Sequence, residues 1–237
     1  MQPWELEALK RSSLFNGLSD HEFETIIQYL QPVTLSFKKG QNIYLLNDTY
    51  ERIGIILCGK ASAYYEDATG DRMLLFTAEA GEFLGGSNLC PEKMQIFSVT
   101  VTADTNCILA FIRNSFFREV YNSETAGIER EKLLRNLLLI LSEKCEYLYQ
   151  RVFFISMKSI LQKICSYLLT QYTPQDNSTI ILPMNRKELA AYLNISRPSL
   201  SRELSYLQRK RIILFSKNTF RILDSKQLEQ YAEGSLP

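Results

Sequence analysis

The sequence predicts an α+β fold, with an antiparallel β-roll in front, a long helix in the middle and a winged helix-turn-helix at the end. Three observations in the 237 residues carry this prediction. Residues Val33 to Arg113 hold short β-branched and aromatic runs punctuated by glycines, the pattern of antiparallel strands. Residues Ile128 to Phe153 return to a helical period with no glycine or proline inside. Asn185 to Lys210 reads NRKELAAYLNISRPSLSRELSYLQRK, two short amphipathic segments around a tight turn.

The stretch up to Leu30 reads as helical. Ser19-Asp20-His21-Glu22 has the spacing of a capping box, followed by Phe23, Ile26, Ile27 and Leu30 on one face, and Pro32 closes the segment. The strand runs expected after it are Ile43–Leu46, Arg52–Cys58, Ala61–Tyr65, Met73–Thr77, Phe97–Thr102 and Cys107–Ile112. Turns are expected at Gly40, Gly59-Lys60, 68–71 and Ala80-Gly81-Glu82. A roll of this kind encloses a pocket. In the long helix, Leu133, Leu137, Ile140, Leu141 and Leu148 follow a three-four spacing, which fits a dimerisation helix and, as the alternative, a core helix of a monomer. Leu137 to Leu141 coat more than one face, so one side is expected to touch the roll and another a second copy. Ser156 is expected to start a further helix from Met157 to Tyr172, and Thr173 to Ser178 reads as a loop. The expected domains are 1–125, an effector-sensing roll with N-terminal helices; 126–154, the dimerisation helix; and 155–237, the winged unit.

In the last unit Asn185 is placed to cap a helix, with Glu188 reaching back and Leu189, Ala190 and Leu193 facing inward. Asn194 tolerates the left-handed turn, Ile195 plugs the angle, and Ser196 caps the second helix with Pro198 harmless in its first turn. Leu200, Leu204 and Leu207 form one apolar stripe. At 100° per residue, Pro198, Arg202, Ser205 and Arg209 lie opposite it, flanked by Arg197 and Ser201. Arginine pairs bidentately with guanine O6 and N7, and serines take base edges or phosphates, so this face suits a major groove. Ile212–Phe215, a Ser-Lys-Asn-Thr turn and Phe220–Leu223 then read as a β-hairpin wing.

Charge is partitioned between the two halves. From Ile155 onward 12 basic residues face 6 acidic ones, whereas the earlier part holds 15 and 20. A basic rear unit fits phosphate. No long uncharged apolar run and no basic-then-apolar leader is visible, so a cytoplasmic protein without a membrane partner is expected. The five cysteines are scattered and form no C-x-x-C pair, which reads as reduced, mostly buried thiols. One histidine, no G-x-S-x-G, no phosphate-cradling G-x-x-x-x-G-K and no metal spacing argue against an enzyme, a metal or a cofactor.

The order of helix, glycine-punctuated roll, long helix and winged helix-turn-helix resembles the CRP/FNR family of bacterial transcription regulators along nearly the whole chain. Phe37-Lys38-Lys39-Gly40 with Ile43, Gly81-Glu82-Phe83-Leu84-Gly85, and Ser196-Arg197 with Arg202 carry the resemblance. It implies a roll of the double-stranded β-helix type, an effector pocket at Gly81, Glu82, Leu84, Gly85, Gly86, Phe97 and Ser98, and base contacts from Arg197 and Arg202. Ser199, Ser201 and Ser205 are expected at base edges or phosphates, and Arg186, Arg209, Lys210 and Lys217 as sequence-independent charge. Double-stranded DNA, a second copy and RNA polymerase are the expected partners, with an unidentified small effector in the roll. Pro198 stands where the family usually has a glutamate. Gly86 and Phe97-Ser98 stand where cyclic-nucleotide binders carry a glutamate and an Arg-Ser or Arg-Thr pair. Without a buried arginine the cyclic phosphate lacks a counter-charge, so cyclic AMP is not expected as the effector, unless Arg72 or Arg113 substitutes from another strand. The competing reading is a small-molecule-binding module whose rear unit meets proteins; the basic rear surface argues against it.

Overall fold

The computed structural model describes residues 1–47, 49, 51–66, 72–85, 99–113, 115–116, 127–172 and 179–235. They form two compact units, Met1–Lys144 and Cys145–Pro237. The expected turn at 68–71 and the expected loop at 173–178 lie outside the described residues.

The first unit begins with α1 (Pro3–Lys10), a short 3₁₀ turn at Ser13–Phe15 and α2 (Asp20–Leu30). The expected capping box is present: Ser19 Oγ accepts from the Glu22 amide at 3.3 Å, and Glu22 Oε2 accepts from the Ser19 amide at 2.7 Å. The Glu22 carboxylate has a second partner. Lys132 Nζ donates to both its oxygens at 2.7 and 2.8 Å, and with the Ser19 amide this holds the carboxyl down to about 2.

Among the described residues eight strands follow: β1 (Val33–Phe37), β2 (Asn42–Tyr44), β3 (Arg52–Cys58), β4 (Lys60–Glu66), β5 (Arg72–Glu79), β6 (Phe83–Leu84), β7 (Thr100–Ala103) and β8 (Cys107–Arg113). They make two antiparallel four-stranded sheets, ordered β1-β8-β3-β6 and β2-β7-β4-β5. The period of two along β3 and β8 divides the core. Ile53, Ile55, Leu57, Ala110 and Ile112 face the N-terminal helices and Leu133, Leu137 and Ile140. Ile56, Cys107, Leu109 and Phe111 face the other sheet, where they meet Ile43, Tyr44, Ala61, Ala63, Leu84 and Val101. Three strands depart from the expected runs. β2 ends at Tyr44, before Leu45-Leu46, and β1 and the two-residue β6 fall where no strand run was read.

The long helix α3 spans Ile128–Ser156. It does not hand over at Ser156 as expected. The next helix, α4, runs Ile160–Thr170 and is capped by Ser159, whose hydroxyl accepts from the Gln162 amide at 3.0 Å. The second unit then adds β9 (Thr179–Ile181), α5 (Arg186–Tyr192), α6 (Arg197–Arg209), the hairpin β10 (Ile213–Ser216) and β11 (Thr219–Ile222), and α7 (Ser225–Glu233). β9 joins the hairpin as a third strand beside β11. One core holds the unit together, built from Phe154, Ile164, Leu168, Leu189, Leu193, Leu200, Leu204, Leu207, Phe220 and Leu228 among others. Burial pushes the Cys165 thiol in this core up to about 12, so it stays neutral. The expectation of mostly buried thiols is corrected: Cys107 and Cys165 are buried, Cys58 and Cys145 are exposed, and Cys90 lies outside the described residues.

Candidate functional site

The reading head is built by the caps that the sequence announces. Asn185 Oδ1 accepts from the Lys187 and Glu188 amides at 2.9 and 3.1 Å, and Glu188 Oε2 accepts from the Asn185 amide at 2.9 Å. Asn194 takes the left-handed conformation at φ 51°, which turns the chain from α5 into α6. Ser196 Oγ then accepts from the Ser199 amide at 3.2 Å and starts α6 with Pro198 in its first turn. Leu200, Leu204 and Leu207 are fully packed into the core, which fixes the opposite face outward.

On that face Arg197, Pro198, Ser201, Arg202, Arg209 and Lys210 are exposed, while Ser199 and Ser205 are half-buried. Arg202 is not splayed into solvent. Its Nη2 donates to Ser199 Oγ at 3.1 Å, and Ser196 Oγ donates to the same oxygen at 2.8 Å. Lys210 Nζ lies 5.8 Å from the centre of the Tyr206 ring, whose hydroxyl meets that of Tyr231 on α7 at 3.0 Å. That hydrogen bond pushes Tyr231 up to about 12.

The wing is a two-residue hairpin with Ser216 opposite Thr219 and Lys217 left-handed at φ 52°. Lys217 is exposed at its tip. Arg186, expected as a sequence-independent charge, is held against the wing. Its guanidinium stacks on Phe215 and Phe220 at 4.4 and 5.1 Å, and its Nε donates to the Lys217 carbonyl at 3.1 Å. Burial lowers its pKa. Arg186 therefore fixes the wing tip, a role that residue type and spacing did not announce because the two rings lie about 30 residues on. Arg211 and Arg221 are further exposed cations, next to α6 and on β11, that the sequence reading left out.

Of the expected effector pocket, Gly86, Phe97 and Ser98 lie outside the described residues. Gly81 and Gly85 both take positive φ, 91° and 88°. Glu82 Oε2 accepts from the Glu79 amide at 2.6 Å and so closes its own turn. Gly81 is tied on both sides, its amide donating to Ile56 at 2.7 Å and its carbonyl accepting from Ser12 Oγ at 2.7 Å. Leu84 needs correction as a pocket residue: it has no exposed surface and packs between the two sheets. A contact absent from the sequence reading is Lys144 of α3, which donates to the Phe83 carbonyl and lies 5.2 and 5.6 Å from the centres of Phe76 and Phe83. Desolvation lowers its pKa, against the opposing pull of the Glu82 charge. Arg72, a candidate stand-in for the missing phosphate partner, is exposed and paired with Glu66 at 2.8 Å; Arg113 is exposed at the end of β8. Among the described residues no His, Cys, Asp and Glu cluster could hold a metal ion, and no helix is long and apolar enough to cross a membrane.

The residues assigned to the dimer helix divide. Leu133, Leu137 and Ile140 are at most 7% exposed and belong to the core of the first unit, with Leu141 packed against it. They form the side of the helix that faces its own roll, and a side chain buried there has no surface left to offer a partner. Leu148 remains exposed, and with it Leu138, Leu139, Tyr149, Val152 and Phe153. Leu138, Ser142, Cys145, Tyr149 and Val152 recur at spacings of four and three, the period of a helix-pairing seam.

Residues 34–124 match the cyclic nucleotide-binding domain model, and residues 162–231 match the Crp-like helix-turn-helix domain model. The chain is 24% identical over 227 residues to the "Cyclic AMP receptor protein" of Thermus thermophilus, covering 95% of this chain and 99% of that one. It is 22% identical over 223 residues to the "Transcriptional activatory protein AadR" of Rhodopseudomonas palustris, covering 91% and 86%. The structure of CLP, a c-di-GMP responsive global regulator of Xanthomonas campestris, has the same fold, with a TM-score of 0.61 and 18% identity over 84% of this chain and 98% of that one.

Proposed function

The chain belongs to the CRP/FNR family of bacterial transcription regulators, and from that premise we propose that it acts in the cytoplasm as a homodimer on a two-fold symmetric DNA site. The observation that carries the proposal is the outward face of α6. Arg197, Ser201 and Arg202 project from the first two turns of a helix whose other side is locked by Leu200, Leu204 and Leu207. A helix so held enters the major groove by its N-terminal turns, with the wing tip Lys217 and the exposed Arg209, Lys210 and Arg211 beside the phosphates. The exposed seam of α3 supplies the second copy and hence the second head. The bound dimer then recruits or blocks RNA polymerase.

Selection of bound duplexes from a random pool, at near-physiological salt and without added ligand, tests the reading. A two-fold symmetric site with half-sites about one helical turn apart is the expected product. Failure to enrich any sequence, together with loss of DNA binding, would favour the competing reading in which the basic unit meets proteins.

If the roll takes an effector, it is a small molecule other than cyclic AMP; the alternative is a constitutive protein controlled by its own abundance. A cyclic phosphate in a desolvated roll needs a cation, and the two arginines considered as substitutes, Arg72 and Arg113, are exposed, Arg72 already in an ion pair. Calorimetric titration with cyclic AMP is expected to give no saturable heat up to about 100 μM, a Kd weaker than roughly −5.5 kcal/mol of binding. Micromolar binding would overturn this part of the proposal and leave the DNA reading intact.

A further inference from the structure

Resting on that DNA reading, we propose that Ser199 is a positioning residue that aims the Arg202 guanidinium at one guanine in each half-site. Residues three apart on a helix share a face, and here the contact is made: Arg202 Nη2 donates to Ser199 Oγ at 3.1 Å. A second bond at 2.8 Å, from Ser196 Oγ, fixes where that oxygen sits. Ser196 is itself immobilised as the cap of α6, since it accepts the Ser199 amide at 3.2 Å. The chain of contacts therefore runs from backbone to cap to serine to guanidinium. It converts a long, flexible, exposed side chain into one with a preset direction, before any DNA arrives.

The donor count says what this pair reads. A hydroxyl has two lone pairs and one hydrogen. Ser199 spends both lone pairs on Ser196 and Arg202, so its hydrogen is left to donate outward. Arg202 spends one of its five N–H groups and keeps the others. Pro198, one position before Ser199, contributes no polar group, and the only acid in α6, Glu203, is half-buried. The pair therefore presents donors alone, whereas the neighbouring exposed Ser201 can donate or accept. Guanine, with O6 and N7 both acceptors in the major groove, is the base edge that complements the Ser199–Arg202 pair.

The test compares the sites selected by the wild type, S199A, S199T and R202A, with binding to each measured across a salt series. R202A should erase the preference at one base pair per half-site, a loss of roughly five- to a hundredfold in discrimination. S199A should lose most of the discrimination at that same base pair, keep it at the others, and leave the salt slope unchanged. S199T, which retains the hydroxyl, should restore it. Alanine is favourable within a helix and the Ser196 cap does not need the Ser199 side chain, so S199A is expected to fold. Full discrimination in S199A would show that Arg202 aims itself. Equal weakening on all sequences with a flatter salt slope would make Ser199 a phosphate contact. Either result overturns the Ser199 assignment alone, whereas a wild type that enriches no site overturns the DNA reading together with it.

Discussion

Replacing Tyr149 and Val152 together with glutamate is expected to turn the dimer into a monomer that folds normally and loses its operator. Both side chains are free in the protomer, 72% and 65% exposed, so neither supports the fold of its own chain. Surface changes of that kind move stability by no more than about 0.5 kcal/mol each. Across a two-fold axis the consequence is different. Residues on the seam of a parallel helix pair meet their own copies, so each substitution removes apolar surface twice and sets two carboxylates against each other in a site that excludes water. Losing two such layers costs several kcal/mol, more than enough to dissociate the pair at micromolar concentration. A single head grips one half-site, and operator affinity is expected to fall by at least about a hundredfold. Sedimentation equilibrium, a thermal melt and operator titration report the three effects separately. A variant that still sediments as a dimer would mean that Leu139 and Phe153, on the neighbouring exposed strip, carry the interface instead.

The division of the long helix shows what periodicity can and cannot say. A three-four apolar spacing marks Leu133, Leu137 and Ile140 as buried, and they are, but burial against one's own sheet and against a second copy leave the same trace in one sequence. The partner strip became visible only by subtraction, once the first unit's core had claimed its share. Local rules did far better where the physics is local. Both capping boxes, at Ser19 and Asn185, the left-handed Asn194 and the inward leucines of α6 follow from contacts within four residues. The fold class and the winged helix-turn-helix were legible for that reason.

What escaped depends on distant partners. The loop Gly81–Gly85 reads as a ligand loop, yet Leu84 is pulled between the sheets, and Lys144, far along the chain, reaches the Phe83 carbonyl. Arg186 reads as one more basic residue until the wing places Phe215 and Phe220 beneath it. β9, with one buried residue of three, and α7, whose buried face rests on Leu228 and Tyr231, are too short to declare themselves. The break after α3 has a plainer cause. Ser156 and Ser159 are equally good caps by type, and only the chain's bend at Met157–Ser159 decides between them.

Gly59→Ala is expected to destabilise the roll by about 2–5 kcal/mol, while Gly40→Ala costs about 1–2 kcal/mol, and the difference isolates a single steric contact. Both glycines have positive φ, 99° and 86°, so both substitutions carry the strain of a side chain in that region. They differ in what the new methyl meets. At Gly40 there is nothing within 4 Å. At Gly59 an added Cβ would sit 2.4 Å from the Asn106 carbonyl oxygen, 2.7 Å from Cys107 Sγ and 2.9 Å from Cys107 Cα. Those atoms have little room to retreat. The Lys60 carbonyl accepts from the Asp104 amide at 2.8 Å and from Cys107 Sγ at 3.2 Å, and the Lys60 amide donates to Thr105 Oγ1 at 2.9 Å, so the two turns are laced together. Pushing them apart opens the start of β8, where the pairing with β3 already shifts register between Ile56 and Cys58. β8 is central to its sheet, and Leu109, Ala110 and Ile112 on it serve both faces of the core. Urea unfolding of the two variants beside the wild type measures the gap. Equal losses would mean that the turn yields as a body and that the laced hydrogen bonds do not hold it.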